Sequence, residues 1–148
     1  MSYGKMNIPT SNKYLRVESG KPIDIHIITA SENIKTKKVY YDGSKYHEIL
    51  DGDAVPTDME GKPYRVETRF AIQVLDRADR ELKWFEFGPN IAIGIREVAK
   101  VLEMDGQSIH DVDLRISRVS EKPVRYSVVQ RKKAGDVPQE ILDEVAPF

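Results

Sequence analysis

Trp84, Phe85 and Phe87 crowd three aromatic rings into four residues, and Trp84 is the only tryptophan of the chain. Successive side chains of a strand leave on opposite faces, so these rings cannot share one side. Around them, RFAIQVLDRADRELKWFEFG (69–88) alternates as two strands about a charged turn at Arg77-Ala78-Asp79-Arg80. Pairing Asp76 with Glu81 sets Val74 opposite Lys83, Ile72 opposite Phe85 and Phe70 opposite Phe87. That register collects Phe70, Ile72, Val74, Phe85 and Phe87 on one face. A slip by one residue would turn Leu82 and Trp84 inward and leave Phe85 and Phe87 outside. Each large apolar side chain contributes roughly 1.5–3 kcal/mol when fully buried, so the first register is favoured. Trp84 then stands on the outer face with Arg65, Arg69, Gln73, Leu75 and Leu82.

A ring set among cations on a sheet surface is suited to unpaired nucleic acid. Bases stack on the ring for roughly 1–3 kcal/mol each, while Lys and Arg follow the phosphates. The same residue types recur on other segments: Lys35, Lys37, Lys38, Tyr40, Tyr41, Lys45 and Tyr46 early in the chain, and Arg125, Tyr126 and Arg131 near its end. Taken singly, a strand Tyr is most simply a packing residue and a strand Lys a solvated one. Their recurrence on successive strands is the collective signal, and it nominates Trp84, Arg65, Arg69, Gln73, Lys37, Lys38, Tyr40, Tyr41, Lys45, Tyr46, Arg125, Tyr126 and Arg131 as a nucleic-acid-binding set.

Catalytic chemistry has little to build on. The chain has no Cys, which removes thiolate nucleophiles, Cys-ligated metals and disulfides. His26, His47 and His110 are far apart, without metal-ligand spacing, and His26 sits mid-strand as a structural histidine would. A site from His47, Asp51 and Asp53 is conceivable, but the two acids fall in a Gly-rich loop where solvated turn residues are expected. Phosphate-cradling Gly motifs and a nucleophile elbow are missing as well. The expectation is a non-enzyme with no cofactor and no metal.

The elements follow from alternation and breakers. Residues 1–12 read as a flexible N-terminal arm. KYLRVESGKPIDIHIITA (13–30) holds two short strands broken at Gly20-Lys21-Pro22, with Ile23, Ile25 and Ile27 on one face. Asp42-Gly43 marks a hairpin turn between Val39-Tyr40-Tyr41 and Tyr46-His47-Glu48-Ile49. DGDAVPTDMEGKP (51–63) is a loop. One helix starts at Pro89 or Asn90, carries Ile91, Ile95, Val98, Val101 and Leu102 at helical spacing, and stops at Asp105-Gly106. VDLRISRVS and VRYSVVQRK are two further strands joined through Glu121-Lys122-Pro123, and DVPQEILDEVAPF holds a helical turn or two. Many short strands with one interposed helix predict a mainly β, OB-fold-like five-stranded small β-barrel, the helix between its third and fourth strands. A ferredoxin-like fold would need an earlier second helix, and a β-sandwich would need none.

The domain spans 13–134, and 135–148 is an acidic C-terminal tail. Of the chain's 24 acidic residues, Asp136, Glu140, Asp143 and Glu144 fall in that tail, which has no Lys or Arg. The preceding 134 residues carry 23 basic and 20 acidic residues, a net of +3. A mildly basic body with an acidic tail hints at a polyanion partner. The N-terminal residues lack an apolar signal region and no apolar run reaches spanning length, so a cytoplasmic protein without membrane contact is expected.

The succession resembles the OB-fold single-stranded-DNA-binding proteins encoded by bacteriophages and related viruses. The likeness runs from about residue 13 to 133. It comprises Tyr14-Leu15 through Gly20, the hairpin strand PYRVETRFAIQVLDR (Pro63 to Arg77), the Glu86-Phe87-Gly88-Pro89 step into the helix, and Arg125-Tyr126-Ser127-Val128-Val129. Many relatives carry a Cys-based zinc clip before the Pro63 strand; this chain has no Cys there. The resemblance implies non-catalytic, largely sequence-independent binding of single-stranded DNA in replication, recombination or repair, and a phage-encoded protein acting in the host cytoplasm. LDEVAPF looks like the acidic tips by which bacterial single-stranded-DNA-binding proteins recruit replication and repair partners, which nominates Asp143, Glu144, Pro147 and Phe148 for that role. The alternative is that Ile141, Leu142 and Val145 pack back on the body. For the chain as a whole, the alternative is a β-barrel protein-interaction or virion-assembly module that ignores nucleic acid. Assembly into a homo-oligomer stays open.

Overall fold

The structure, a computed structural model, describes residues 14–145. The 1–12 arm and the tail tip, Pro147 and Phe148, lie outside the described residues. Eight strands form one open mixed sheet: β1 (Tyr14–Leu15), β2 (Ile23–Ile27), β3 (Lys35–Tyr41), β4 (Tyr46–Ile49), β5 (Val66–Asp76), β6 (Glu81–Phe87), β7 (Val112–Glu121) and β8 (Val124–Lys132). Helix α1 (Pro89–Met104) follows β6, and α2 (Gln139–Glu144) follows β8.

The β5–β6 hairpin adopts the register that buries the larger apolar set. Asp76 pairs with Glu81, Val74 with Lys83, Gln73 with Trp84, Ile72 with Phe85 and Phe70 with Phe87. Its turn is held by short-range polar contacts. Arg80 takes the left-handed conformation at φ 61° and donates its N–H to the Asp76 carbonyl. Lys83 Nζ meets both Asp76 and Asp79.

Strand β5 is long enough to carry two partners along one edge. Its first half pairs with β3, from Tyr40 opposite Val66 to Lys35 opposite Ala71. Its second half pairs with β2, from Ile27 opposite Val74 to Ile25 opposite Asp76. Between them, the link at Ile28 and Thr29 donates both backbone N–H groups to the Gln73 carbonyl, and a short 3-10 turn at Ser31–Asn33 interrupts the strand. β2 continues the sheet to β7 and then β8, while β1 runs parallel along the far edge of β6. The Asp42-Gly43 turn joins β3 to β4 as expected.

Two expectations are corrected. The strands number eight rather than five, because the Ser31–Asn33 turn divides one run and the β3–β4 hairpin and β1 add short strands. The sheet is open, ordered β1-β6-β5-β2-β7-β8 with β3 and β4 branching from β5, and α1 lies between the sixth and seventh strands.

The core lies on the inner face of this sheet. Ile25, Ile27, Ile72, Val74, Phe85, Phe87, Leu114 and Ile116 are buried there under Ile91 and Leu102 of α1. Pro89 suits the first helical position because its missing N–H would have no intrahelical partner. Gly94 lets the helix approach β8: a Cβ at that position would sit 2.6 Å from Val128 Cγ2. Gly106, at φ 74°, ends the helix in the left-handed conformation. Among the described residues no helix is long and apolar enough to cross a membrane.

Candidate nucleic-acid interface

The hairpin register places Trp84 on the outer face, half-buried, with Lys35 Nζ 5.1 Å from the ring centroid. A cation within about 6 Å of a ring is attracted by its quadrupole. Lys37 and Arg69 stand on the same face, opposite one another in the β3–β5 ladder. Both meet Glu86, Lys37 Nζ at 3.5 Å and Arg69 Nε at 3.5 Å, and Arg69 Nη1 lies 3.8 Å from Glu67 Oε2. These are ion pairs without hydrogen bonds, since N–H···O bonds fall at about 2.7–3.2 Å. Glu67 Oε2 is shielded from solvent and has no hydrogen-bond partner among the described residues.

Beyond Phe70 the β3–β4 hairpin extends the surface and gathers aromatic residues. On one side Tyr40 stacks between His47, at 5.0 Å, and Tyr64, at 4.9 Å. On the other side Tyr41 and Tyr46 pack at 5.0 Å and are 49% and 60% exposed. Asp42 organises the turn: it accepts from the backbone N–H groups of Ser44 and Lys45 and meets His47 Nε2 at 2.6 Å. Those contacts, led by the Lys45 N–H, hold its carboxyl well below the usual carboxylate range.

Where the outer face ends, a cleft of about 700 Å³ opens between the β1–β6 edge, the start of α1 and β8. Tyr14, Tyr46 and Tyr126 line it together with Arg16, Arg69, Glu67 and Glu86, over the apolar floor of Phe85, Phe87 and Ile91. It is the seam of the open sheet.

On the other side of Trp84 the outer face is covered. His26, Gln73, Leu75 and Leu82 are buried there, outside the main core. Asp113, 3% exposed, is the hub of a network around them. Its carboxylate accepts from Arg77 Nε at 3.0 Å, Arg77 Nη2 at 3.1 Å, the Ala134 N–H at 3.1 Å and His26 Nδ1 at 3.1 Å. The second partner of His26 Nδ1 is the Val112 carbonyl, so both partners accept and Nδ1 carries the hydrogen. Burial pushes the imidazole pKa below its ordinary value, against the Asp113 carboxylate, which raises it. Arg77 Nη2 also donates to the Gly135 carbonyl, and α2 packs against β6. The first part of the tail is therefore docked on the body, with Ile141 and Val145 half-buried and Leu142 exposed.

The structure brings Trp84, Lys35, Lys37 and Arg69 together, with Tyr41 and Tyr46 on the same side of the extended hairpin, and adds Tyr126 through the cleft. Lys38 and Tyr40 point to the opposite side of β3. Lys45 lies in the hairpin turn and Arg65 just ahead of β5, both exposed. Arg125 is exposed at the cleft end of β8, whereas Arg131 is near the far end, opposite Asp113 and acting on Asp24. Gln73 departs from expectation: it is 3% exposed, and its backbone is tied to the Ile28–Thr29 link, its N–H donating to Thr29 Oγ1 and its carbonyl accepting from both link N–H groups. Tyr14, Tyr64, Glu67 and Glu86 escaped sequence reasoning. The β-strand parity that placed Arg69 also places Glu67 and Glu86 beside it, so that signal was present for those two; Tyr14 and Tyr64 arrive through long-range pairing and a loop. Among the described residues, no cluster of three or more His, Asp or Glu could hold a metal ion. Asp143 and Glu144 are exposed at the end of α2 and its edge.

Comparisons with protein-family models, curated proteins and solved structures found no match to this chain.

Proposed function

We propose that this chain is a non-catalytic single-stranded-DNA-binding protein built on an OB-fold plan. The strand pairings support the plan. If β2 and β3 are taken as one interrupted first strand, β5, β6, β7 and β8 become the second to fifth. The pairs first–second, second–third, first–fourth and fourth–fifth of that fold are then present, with α1 between third and fourth. The third–fifth closure is not made: β1 lies along β6 and the cleft occupies the gap. OB-folds hold oligonucleotides on the face of their second and third strands and on the loops at either end of it. Here that face is the β5–β6 hairpin.

The observation that carries the reading is the half-buried Trp84 ring on that face, with Lys35 over it and Lys37 and Arg69 alongside. A base stacking at Trp84 would have cations within reach of its phosphates, and the exposed Tyr41 and Tyr46 continue the path. Sequence tolerance follows, because every base has a face to stack. A role in phage replication, recombination or repair rests on the sequence resemblance.

Titration with oligo(dT) tests it. Trp84 emission should quench, and affinity should fall steeply with added salt as phosphates exchange counterions for Lys and Arg. Parallel arms with the RNA counterpart and duplex DNA define the preference. Unchanged emission together with no gel shift at low salt overturns the reading in favour of a protein-interaction module.

A further inference from the structure

The cleft beside the Trp84 face has a composition that a phosphate groove would not have. Two carboxylates, Glu67 and Glu86, stand next to the cations Arg69 and Lys37, and Arg16 lines the same cleft, so acceptors and donors are interleaved where a groove built for phosphates alone would carry cations only. Its contacts are long, at 3.5–3.8 Å, leaving the guanidinium and both carboxylates without hydrogen bonds among the described residues. Glu67 Oε2 is shielded from solvent with Arg69 Nη1 at 3.8 Å, while the Glu67 side chain as a whole is 36% exposed. Tyr14 and Tyr46, 51% and 60% exposed, offer rings at the rim of the same cleft. Aromatic walls with one donor fork and one acceptor pair suit the edge of a planar heterocycle that carries both hydrogen-bonding types.

We propose that the cleft is a guanine-selective base subsite, an inference that rests on the single-strand reading above. Guanine presents O6 and N7 as adjacent acceptors, which Arg engages bidentately. It also presents N1–H and the N2 amino group as adjacent donors, which a carboxylate accepts as a pair. Arg69 takes the first edge and the Glu67 and Glu86 carboxylates take the second between them, with Lys37 beside Glu86 and the tyrosines stacking on the ring. Thymine, with a single N–H between two carbonyls, would set those carbonyls against the carboxylates. Binding along the strand is thus sequence-tolerant at Trp84 and selective at one position beside it. The same chemistry would accept guanine in a strand or as a free nucleotide.

The test compares a labelled thymidine oligomer of about 12 nucleotides with the same oligomer carrying one central guanine, by fluorescence anisotropy. Calorimetric titrations with dGMP and dTMP run beside it. The guanine oligomer should bind roughly 5- to 150-fold tighter, the range of one good bidentate pair. Arg69→Lys, which keeps the charge but loses the fork, and Glu67→Gln should each bring that ratio to about one. Equal affinity of the two oligomers for the unmodified protein overturns the subsite and leaves the single-strand reading intact. Binding of dGMP over dTMP with neither oligomer bound supports the subsite and overturns the single-strand reading. No binding of any probe overturns both. Because the ratio for the unmodified protein decides, a variant that fails to fold does not spare the proposal.

Discussion

The pairing of Lys35 with Trp84 makes a quantitative prediction about how a strand would bind. Stacking of a base on an aromatic side chain contributes roughly 1–3 kcal/mol. The ring already holds the Lys35 ammonium at 5.1 Å, an attraction of about 0.5–1 kcal/mol at an exposed site. A base that takes that face of the ring must displace the ammonium, so the net contribution of Trp84 falls to about 0.5–2 kcal/mol. Trp84→Ala should therefore weaken oligo(dT) binding by roughly 2- to 30-fold, read by anisotropy of a labelled oligomer so that the probe is not the deleted ring. Lys35→Met separates the two roles of the lysine. It frees the ring, which strengthens stacking, and it removes one phosphate contact, which makes the slope of log K against log salt shallower by about 0.7. Affinity near physiological salt should change little while the slope changes clearly. Circular dichroism melts confirm that each variant is folded. A folded Trp84→Ala protein with undiminished affinity at low salt, or a Lys35→Met protein with an unchanged salt slope, would refute the reasoning.

Asp113→Ala should destabilise the fold by about 3–5 kcal/mol in urea titrations, because Arg77 and His26 lose a buried partner, and proteolysis should then release the segment from Ala134 onward. His26 titrates at its ordinary value in the unfolded chain and below it in the folded one. Stability should thus be full above the ordinary imidazole range and fall as pH drops through it toward the folded value, and His26→Asn should flatten that part of the profile. Gly94→Ala should lower the melting temperature: the Cβ overlap with Val128 costs about 1–3 kcal/mol, which outweighs the gain of about 1 kcal/mol in helix propensity, and Val128→Ala should repair it. Deleting 135–148 should preserve or raise oligo(dT) affinity at low salt, because the three acidic side chains of α2 leave the neighbourhood of β6, with unchanged stability counting against docking of the tail.

Local pattern carried the elements that repeat over many residues. Alternation with a strong apolar face determined the β5–β6 register, since a one-residue slip would have exposed Phe85 and Phe87, and those two are the most buried phenylalanine, tyrosine or tryptophan rings in the sheet. The helix from Pro89 to Met104 was legible for the same reason, with Gly106 as its stop. What pattern could not carry was non-local. Gln73 sits opposite Trp84 on the outer face as a surface residue should, yet it is buried there with His26, Leu75 and Leu82, and nothing in the local sequence announces that burial. The division of one long strand into β2 and β3 depends on β5 being long enough to serve both. Arg131 shares its residue type with Arg69, but β8 carries it to the far end of the sheet.

The charged residues sort by the geometry of their contacts. Asp24 and Arg115 meet in a bidentate pair at 2.8 and 3.0 Å, and Asp113 and Arg77 at 3.0 and 3.1 Å, each tying together strands or turns distant in sequence. Such charge-assisted pairs are saturated and hold the sheet. The Lys37–Glu86–Arg69–Glu67 group is knit at 3.5–3.8 Å on the face that carries Trp84. Other loose pairs, such as Lys21 with Glu18 and Arg96 with Glu97, are solvated side chains on a turn and on the helix surface. The Trp84-side group differs because it borders a cleft and includes a shielded carboxylate oxygen, Glu67 Oε2, that meets Arg69 only at 3.8 Å. With Glu67 and Glu86 offsetting part of the charge of Lys37 and Arg69, the pull on a bound strand's phosphates would be shared with cations outside the group: Lys35 over Trp84, Lys45 and Arg65 at the hairpin, and Arg16 and Arg125 at the cleft. On the proposed reading, replacing Lys35, Lys45 or Arg65 should make the salt dependence of binding shallower and leave the preference for guanine in place.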